Sequence, residues 1–253
     1  MDLRLLRVAL VAEVKYMSRP FELTFMIENA AIDDNSGWSL KPTFSNSCCE
    51  FYQTTFDFNQ TIHNLPKGTF KVMVQAFQRP GAYETTYNDF KNGTNNVNAV
   101  LYAGTDNVKI KHIAEGARTS KLDADDVSVG SPTRYIPNTM AGAAAYFAKK
   151  KYDNELFTTT NEINASLKIG LKGTVSSSGY WTIFDNFRLY YYGSLTHDQI
   201  VSINDVLVDD NPQTPSDNNV YNLQGVIVRQ NATTLEGLEP GVYIVNGKKY
   251  MVK

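Results

Sequence analysis

Strict alternation of apolar and polar residues, repeated in several long segments, constrains this chain most. Phe70, Val72, Val74 and Ala76 face one way, between Thr69, Lys71 and Gln75. Ala165, Leu167, Ile169 and Leu171 alternate with Ser166, Lys168 and Lys172. Phe21, Leu23, Phe25 and Ile27 alternate with Glu22, Thr24, Met26 and Glu28. Successive side chains of a strand point to opposite faces, so each segment reads as a strand with one buried and one wetter face. Further strands are expected at 48–58, 98–103 and 180–192, with a turn at Pro66-Lys67-Gly68. The Ala-rich span 139–151 is the clearest helix within this body, with Met140, Ala144 and Phe147 toward a core. Several strands and one inserted helix predict an all-β fold, a two-sheet jelly-roll β-sandwich.

The flanks differ. Residues 1–20 carry Leu3, Leu6, Leu10, Val14 and Met17 on one helical stripe. They read as a short helix or the remnant of an upstream segment, with a degenerate signal peptide as the other reading. The sandwich is expected over 21–193 and a linker over 194–218, which holds Asn211-Pro212-Gln213-Thr214-Pro215-Ser216. A small β-rich tail follows over 219–253, where Asn246-Gly247 between two apolar runs is a strong hairpin signal. Within the sandwich, 80–97 and 115–138 read as polar loops, longer than compact domains usually carry without a function.

Composition excludes some partners. With 24 basic and 26 acidic residues the net charge is −2, which gives no electrostatic footprint for nucleic acid or an anionic membrane surface. No stretch is long and apolar enough to span a bilayer. No Gly-x-Ser-x-Gly, His-Glu-x-x-His or phosphate-binding glycine loop occurs, so no enzyme is expected. His63, His112 and His197 are scattered, and the pairs Asp125-Asp126 and Asp209-Asp210 read as solvated. Cys48 and Cys49 are adjacent, which strains a disulfide within a strand; one buried thiol and one outward thiol are expected.

Two constellations could carry chemistry. Alternation along 180–192 puts Asp185 on one face with Trp181, Ile183, Phe187 and Leu189. A carboxylate buried there needs a partner, a cation or a β-bulge. Sugar binding needs flat apolar faces and a few placed polar groups. Trp38, Tyr83, Tyr87 and Tyr135 are the loop aromatics for it, with Asn35, Asn88 and Arg79 as polar company.

The run Cys49-Glu50-Phe51-Tyr52-Gln53-Thr54-Thr55-Phe56-Asp57-Phe58, with Leu65-Pro66-Lys67-Gly68-Thr69-Phe70-Lys71-Val72, resembles galactose-binding-like jelly-roll modules of multidomain surface proteins of Bacteroidetes. The span Asn29 to Trp38 resembles the opening motif of that family, and Tyr180-Trp181-Thr182-Ile183-Phe184-Asp185-Asn186-Phe187 its closing strand. The resemblance covers about residues 22–193 and places Asp33 where the family's opening acidic residue falls. Asp33 and Asp185 are thus the candidate ligands of a structural calcium ion; the other reading is that Asp33 caps a turn and Asp185 sits at a bulge. The tail, from Val220-Tyr221-Asn222-Leu223-Gln224-Gly225 through Gly241-Val242-Tyr243-Ile244-Val245, is similar to C-terminal sorting domains of secreted proteins of the same bacteria. Together these imply a secreted or surface-attached bacterial protein. Its expected function is a non-catalytic carbohydrate-binding module. The alternative is a structural or adhesion module that contacts other surface proteins and binds no sugar.

Overall fold

The computed structural model describes residues 20–34, 36–200, 219–222, 227–232, 234–245 and 248–252. The expected N-terminal helix, Asn35, most of the linker and the Asn246-Gly247 turn lie outside the described residues. The chain divides into two compact units, 1–201 and 202–253.

The first unit runs β1 (Phe21–Glu22), β2 (Thr43–Ser45), β3 (Cys48–Tyr52), β4 (Phe56–Leu65) and β5 (Gly68–Pro80), then helix α1 (Tyr83–Lys91). After these come β6 (Val100–Ala103), β7 (Asp106–Lys109), β8 (Lys111–His112), β9 (Val127–Val129) and β10 (Arg134–Ile136). Helix α2 (Met140–Ala148), β11 (Asp153–Thr160), β12 (Ala165–Gly173) and β13 (Tyr180–Tyr191) complete it. One sheet has the order β11-β5-β13-β3-β2, with β1 added on β13 and β8 on β5; the other has the order β4-β12-β6-β7. Phe70, Val72, Val74 and Ala76 of the first sheet share one buried cluster with Phe58, Ile62, Leu167, Ile169 and Leu171 of the second. The all-β sandwich follows from that shared core. No helix among the described residues is long and apolar enough to cross a membrane.

A second core lies on the opposite face of the larger sheet. Phe77 of β5, Trp181 and Ile183 of β13 and Cys48 of β3 pack there against Tyr87 of α1 and Ile136 of β10. Ala143 and Phe147 of α2, with Tyr152 beyond it, close the cluster. The two segments expected as loops therefore fold into a cap over the sheet. Residues 80–97 contain α1, and 115–138 contain the antiparallel pair β9 and β10.

Local chemistry explains both helices of the cap. Tyr83, Tyr87 and Phe90 recur at helical spacing, and Tyr87 and Phe90 turn toward the second core. Asn92-Gly93 ends α1. The Gly93 N–H donates to the Phe90 carbonyl (3.0 Å), and the Thr94 N–H to the Asp89 carbonyl (2.9 Å), with Gly93 at φ +87°. That is a Schellman cap, which favours glycine at the left-handed position. In α2 the Thr139 hydroxyl accepts from the Gly142 N–H at 3.0 Å, the usual N-cap contact. Its buried face is Gly142, Ala143, Tyr146 and Phe147, a rotation from the expected face that leaves Met140 and Ala144 half-buried.

Three other expectations are corrected. The alternation from Phe21 continues as a strand only to Glu22, and a 3-10 turn at Thr24–Met26 follows. The turn buries Leu23 and Ile27 and leaves Phe25 68% exposed. The expected strand 48–58 is broken at Gln53, whose φ is +52°, into β3 and β4. Neither thiol points outward. Cys48 and Cys49 face opposite sides of the sheet as pleating requires, but the cap covers one side, so both are buried in different cores.

The second unit contains β14 (Val220–Asn222), β15 (Ile227–Arg229), β16 (Gly241–Val245) and β17 (Lys248–Val252), in the antiparallel order β15-β14-β16-β17. Val220 is buried, and the Tyr243 hydroxyl donates to the Glu239 carbonyl at 2.8 Å.

Candidate functional site

The cap creates an open cleft of about 370 Å³ between the last turns of α1 and the loop joining β9 to β10. Tyr87, Asn88, Lys91 and Asn92 form the helical wall. Gly130, Ser131, Pro132 and Arg134 form the other. Tyr87 anchors the arrangement. Its ring is largely buried and lies against Gly130, where a β-carbon would sit 2.4 Å from Tyr87 Cε1. Gly130 has φ +67°, so the close approach and the backbone turn both call for glycine.

The polar groups of the cleft are mostly free to meet a ligand. Asn88 is exposed and donates to Glu84 Oε1 at 3.2 Å along the helix. Arg134 Nη1 donates to the neighbouring Thr133 carbonyl at 3.1 Å. No lining residue is acidic. Among the described residues, ion pairs join Lys71 to Glu155 and Lys168 to Asp57. Neither Lys91 nor Arg134 takes part in one.

The expected ligand residues are thus partly gathered. Tyr87 and Asn88 line the cleft, and Tyr83 stands exposed one helical turn before Tyr87. Trp38 is a correction. It lies buried in the sandwich core, 4.4 Å from Phe58 in a stacked pair and 4.6 Å from Phe187, so its ring is packed against protein. Its Nε1 donates to the Asn29 carbonyl at 3.1 Å, which satisfies the indole inside the protein. Arg79 does not reach the cleft. It lies 5.0 Å from the Trp181 ring centroid and donates to Asn138 Oδ1 at 2.7 Å. Burial holds its guanidinium below the ordinary value. Tyr135 exchanges backbone hydrogen bonds with Arg118 and is half-buried under Lys121. Lys91, Asn92, Ser131 and Arg134 were not singled out in the sequence. The α1 periodicity was the available signal for the first two.

Asp185 lies on the capped face of the larger sheet. It pairs with Gln75, and Arg188 pairs with Met73, so β13 carries one extra residue between them. Asn186, at φ +52°, takes up that bulge. The bulge also corrects the expected alternation. Trp181, Ile183 and Asp185 face the cap, whereas Phe187 and Leu189 face the sandwich core. The Asn186 side-chain amide donates to Asp185 Oδ2 and to Gln75 Oε1. Burial, and then the nearby Asp33 charge, push the Asp185 carboxyl up to about 7, against hydrogen bonds from Asn186 and attraction from Arg188. Asp33 itself is exposed, and its N–H donates to Asn29 Oδ1 at 2.9 Å. Calcium takes six to eight oxygens, and no group of three or more His, Cys, Asp or Glu suited to a metal occurs among the described residues.

Comparison with known proteins gives this geometry no name. No family profile matches the chain, and no curated protein matches it. Among solved structures, 64% of the chain aligns with 24% of the secreted serine protease VesC from Vibrio cholerae, at 10% identity and a TM-score of 0.26. The chain spans about a quarter of that protein's length, and a likeness this slight carries no argument.

Proposed function

We propose that this chain is a non-catalytic carbohydrate-binding module of a secreted or surface-attached bacterial protein. The cleft between α1 and the β9–β10 loop is the observation that supports this reading. It sets the largely buried ring of Tyr87 beside side-chain amides at Asn88 and Asn92, a hydroxyl at Ser131 and the apolar ring of Pro132. Saccharide recognition needs that mixture of apolar surface and placed hydrogen-bonding groups. Two of the cleft residues, Tyr87 and Asn88, are expected to contact sugar on sequence grounds alone.

The test is a glycan panel probed with the full chain and with Asn88→Ala and Asn92→Ala, two exposed positions whose loss leaves both cores intact. Binding that weakens in these variants supports the cleft. Silence across plant, host and microbial glycans favours a structural or adhesion module, and sugar release by the pure protein overturns the non-catalytic part. A calcium ion between Asp33 and Asp185 is a separate proposal. Melting raised by calcium and reversed by chelator supports it, and curves indifferent to both remove it.

A further inference from the structure

We propose that the cleft selects an acidic saccharide, one bearing a carboxylate or a sulfate ester; the inference rests on the carbohydrate-binding reading. The supporting observation is where the charges stand. Lys91 comes from the last turn of α1, and Arg134 comes from the first residue of β10. Separate chain segments thus deliver two cations to one cleft with no acidic lining residue. The protein as a whole is slightly acidic, at −2, so this positive spot does not follow from overall composition.

A structural role accounts for only part of the pattern. A lysine in the last helical turn offsets the negative end of the helix dipole, so Lys91 alone would be unremarked. Arg134 has no such role. One guanidinium nitrogen is used on the Thr133 carbonyl, and no ion pair to Arg134 forms among the described residues. The planar fork of arginine suits the paired oxygens of a carboxylate or sulfate. The α1 dipole opposes an anion with roughly half a charge, and Glu84, hydrogen-bonded to Asn88, adds one negative charge beside the helical wall, against the two full positive charges of Lys91 and Arg134. The balance favours an anion, held by Arg134 with Lys91 masking the helix end.

The experiment is isothermal titration of the full chain with galactan, polygalacturonate and a sulfated galactan, at low and at physiological salt. At least one acidic polymer is expected to bind about tenfold tighter than galactan, with the preference shrinking as salt rises. Uronate preference and sulfate preference both support the inference, and the two acidic arms tell them apart. Arg134→Gln and Lys91→Glu are each expected to cut the acid-to-neutral preference by about tenfold. Galactan bound as tightly as both acidic polymers overturns the inference and leaves the carbohydrate reading standing. So does an acid preference that both charge variants retain. Binding of no glycan in the wider panel brings down the reading itself.

Discussion

The substitution Asp185→Asn should stabilise the protein at neutral pH and do so less in acid. The folded carboxyl titrates at about 7, and the ordinary value is 3.8. Between those values the folded state holds a proton that the unfolded chain has released. Stability must then fall as pH rises through this window, because the unfolded state binds fewer protons. At about 1.4 kcal/mol per pH unit, the span from 3.8 to about 7 gives a ceiling of about 4 kcal/mol. The amide of the variant would keep an acceptor for the Asn186 side chain and lose the charge. The groups that face the site are Asp33, Arg188, Cys48 and Cys49, and neither thiol ionises in this range. The assay is urea denaturation of both proteins in chelator at pH 4 and pH 8. The stability difference should move in favour of the variant by up to about 4 kcal/mol between the two pH values. A difference that stays constant, or moves the other way, would refute a carboxyl that burial holds protonated.

His112 should show the opposite trend. Burial pushes its imidazole down to about 4, and its Nδ1 accepts from the Ala114 N–H at 3.0 Å, so the folded state needs the neutral ring. Its contribution is present above about pH 6.5 and is lost as pH falls toward 4; His112→Asn should flatten up to about 3 kcal/mol of that acid sensitivity in denaturation curves. Phe77→Ala, which empties the centre of the second core, should cost about 3–5 kcal/mol in urea unfolding; a cost below about 1 kcal/mol would mean the cap does not pack on the sheet. Burial pushes both Cys48 and Cys49 thiols up to about 12. Neither should react with iodoacetamide at pH 8 until the protein unfolds, and mass spectrometry of labelled native protein checks this.

The sandwich was legible because β5 and β12 each bury a row that alternates over many residues. The cap was not, and the reason is physical. The outward row of β5 contains Lys71, Gln75 and Arg79, which local alternation reads as wet. Segments distant in sequence cover that row, and Gln75 is satisfied there by the Phe147 carbonyl at 2.9 Å. The Asn92-Gly93 dipeptide signals a turn, but a helix cap uses the same left-handed glycine, and only Tyr83, Tyr87 and Phe90 at helical spacing distinguish the two. The bulge after Asp185 was marked by a carboxylate in an apolar row, which a bulge relieves, and by Asn186, a residue that tolerates positive φ; its effect on the residues beyond it was not. That one extra residue moved Phe187 and Leu189 to the face opposite Asp185. For the candidate site, Tyr87 and Asn88 read as loop residues in the sequence, although they stand on a helix. Trp38 was drawn into the core by stacking partners from β4 and β13, which sequence does not display.

Backbone amide chemical shifts followed during titration with a bound saccharide test the central claim most directly. Perturbations should concentrate at 87–92 and 130–134, the two walls that the cap brings together. Shifts confined to the uncovered edge strands or to the tail sheet, with the amides of both walls unmoved, would show that sugar is held elsewhere and that the cap has another purpose.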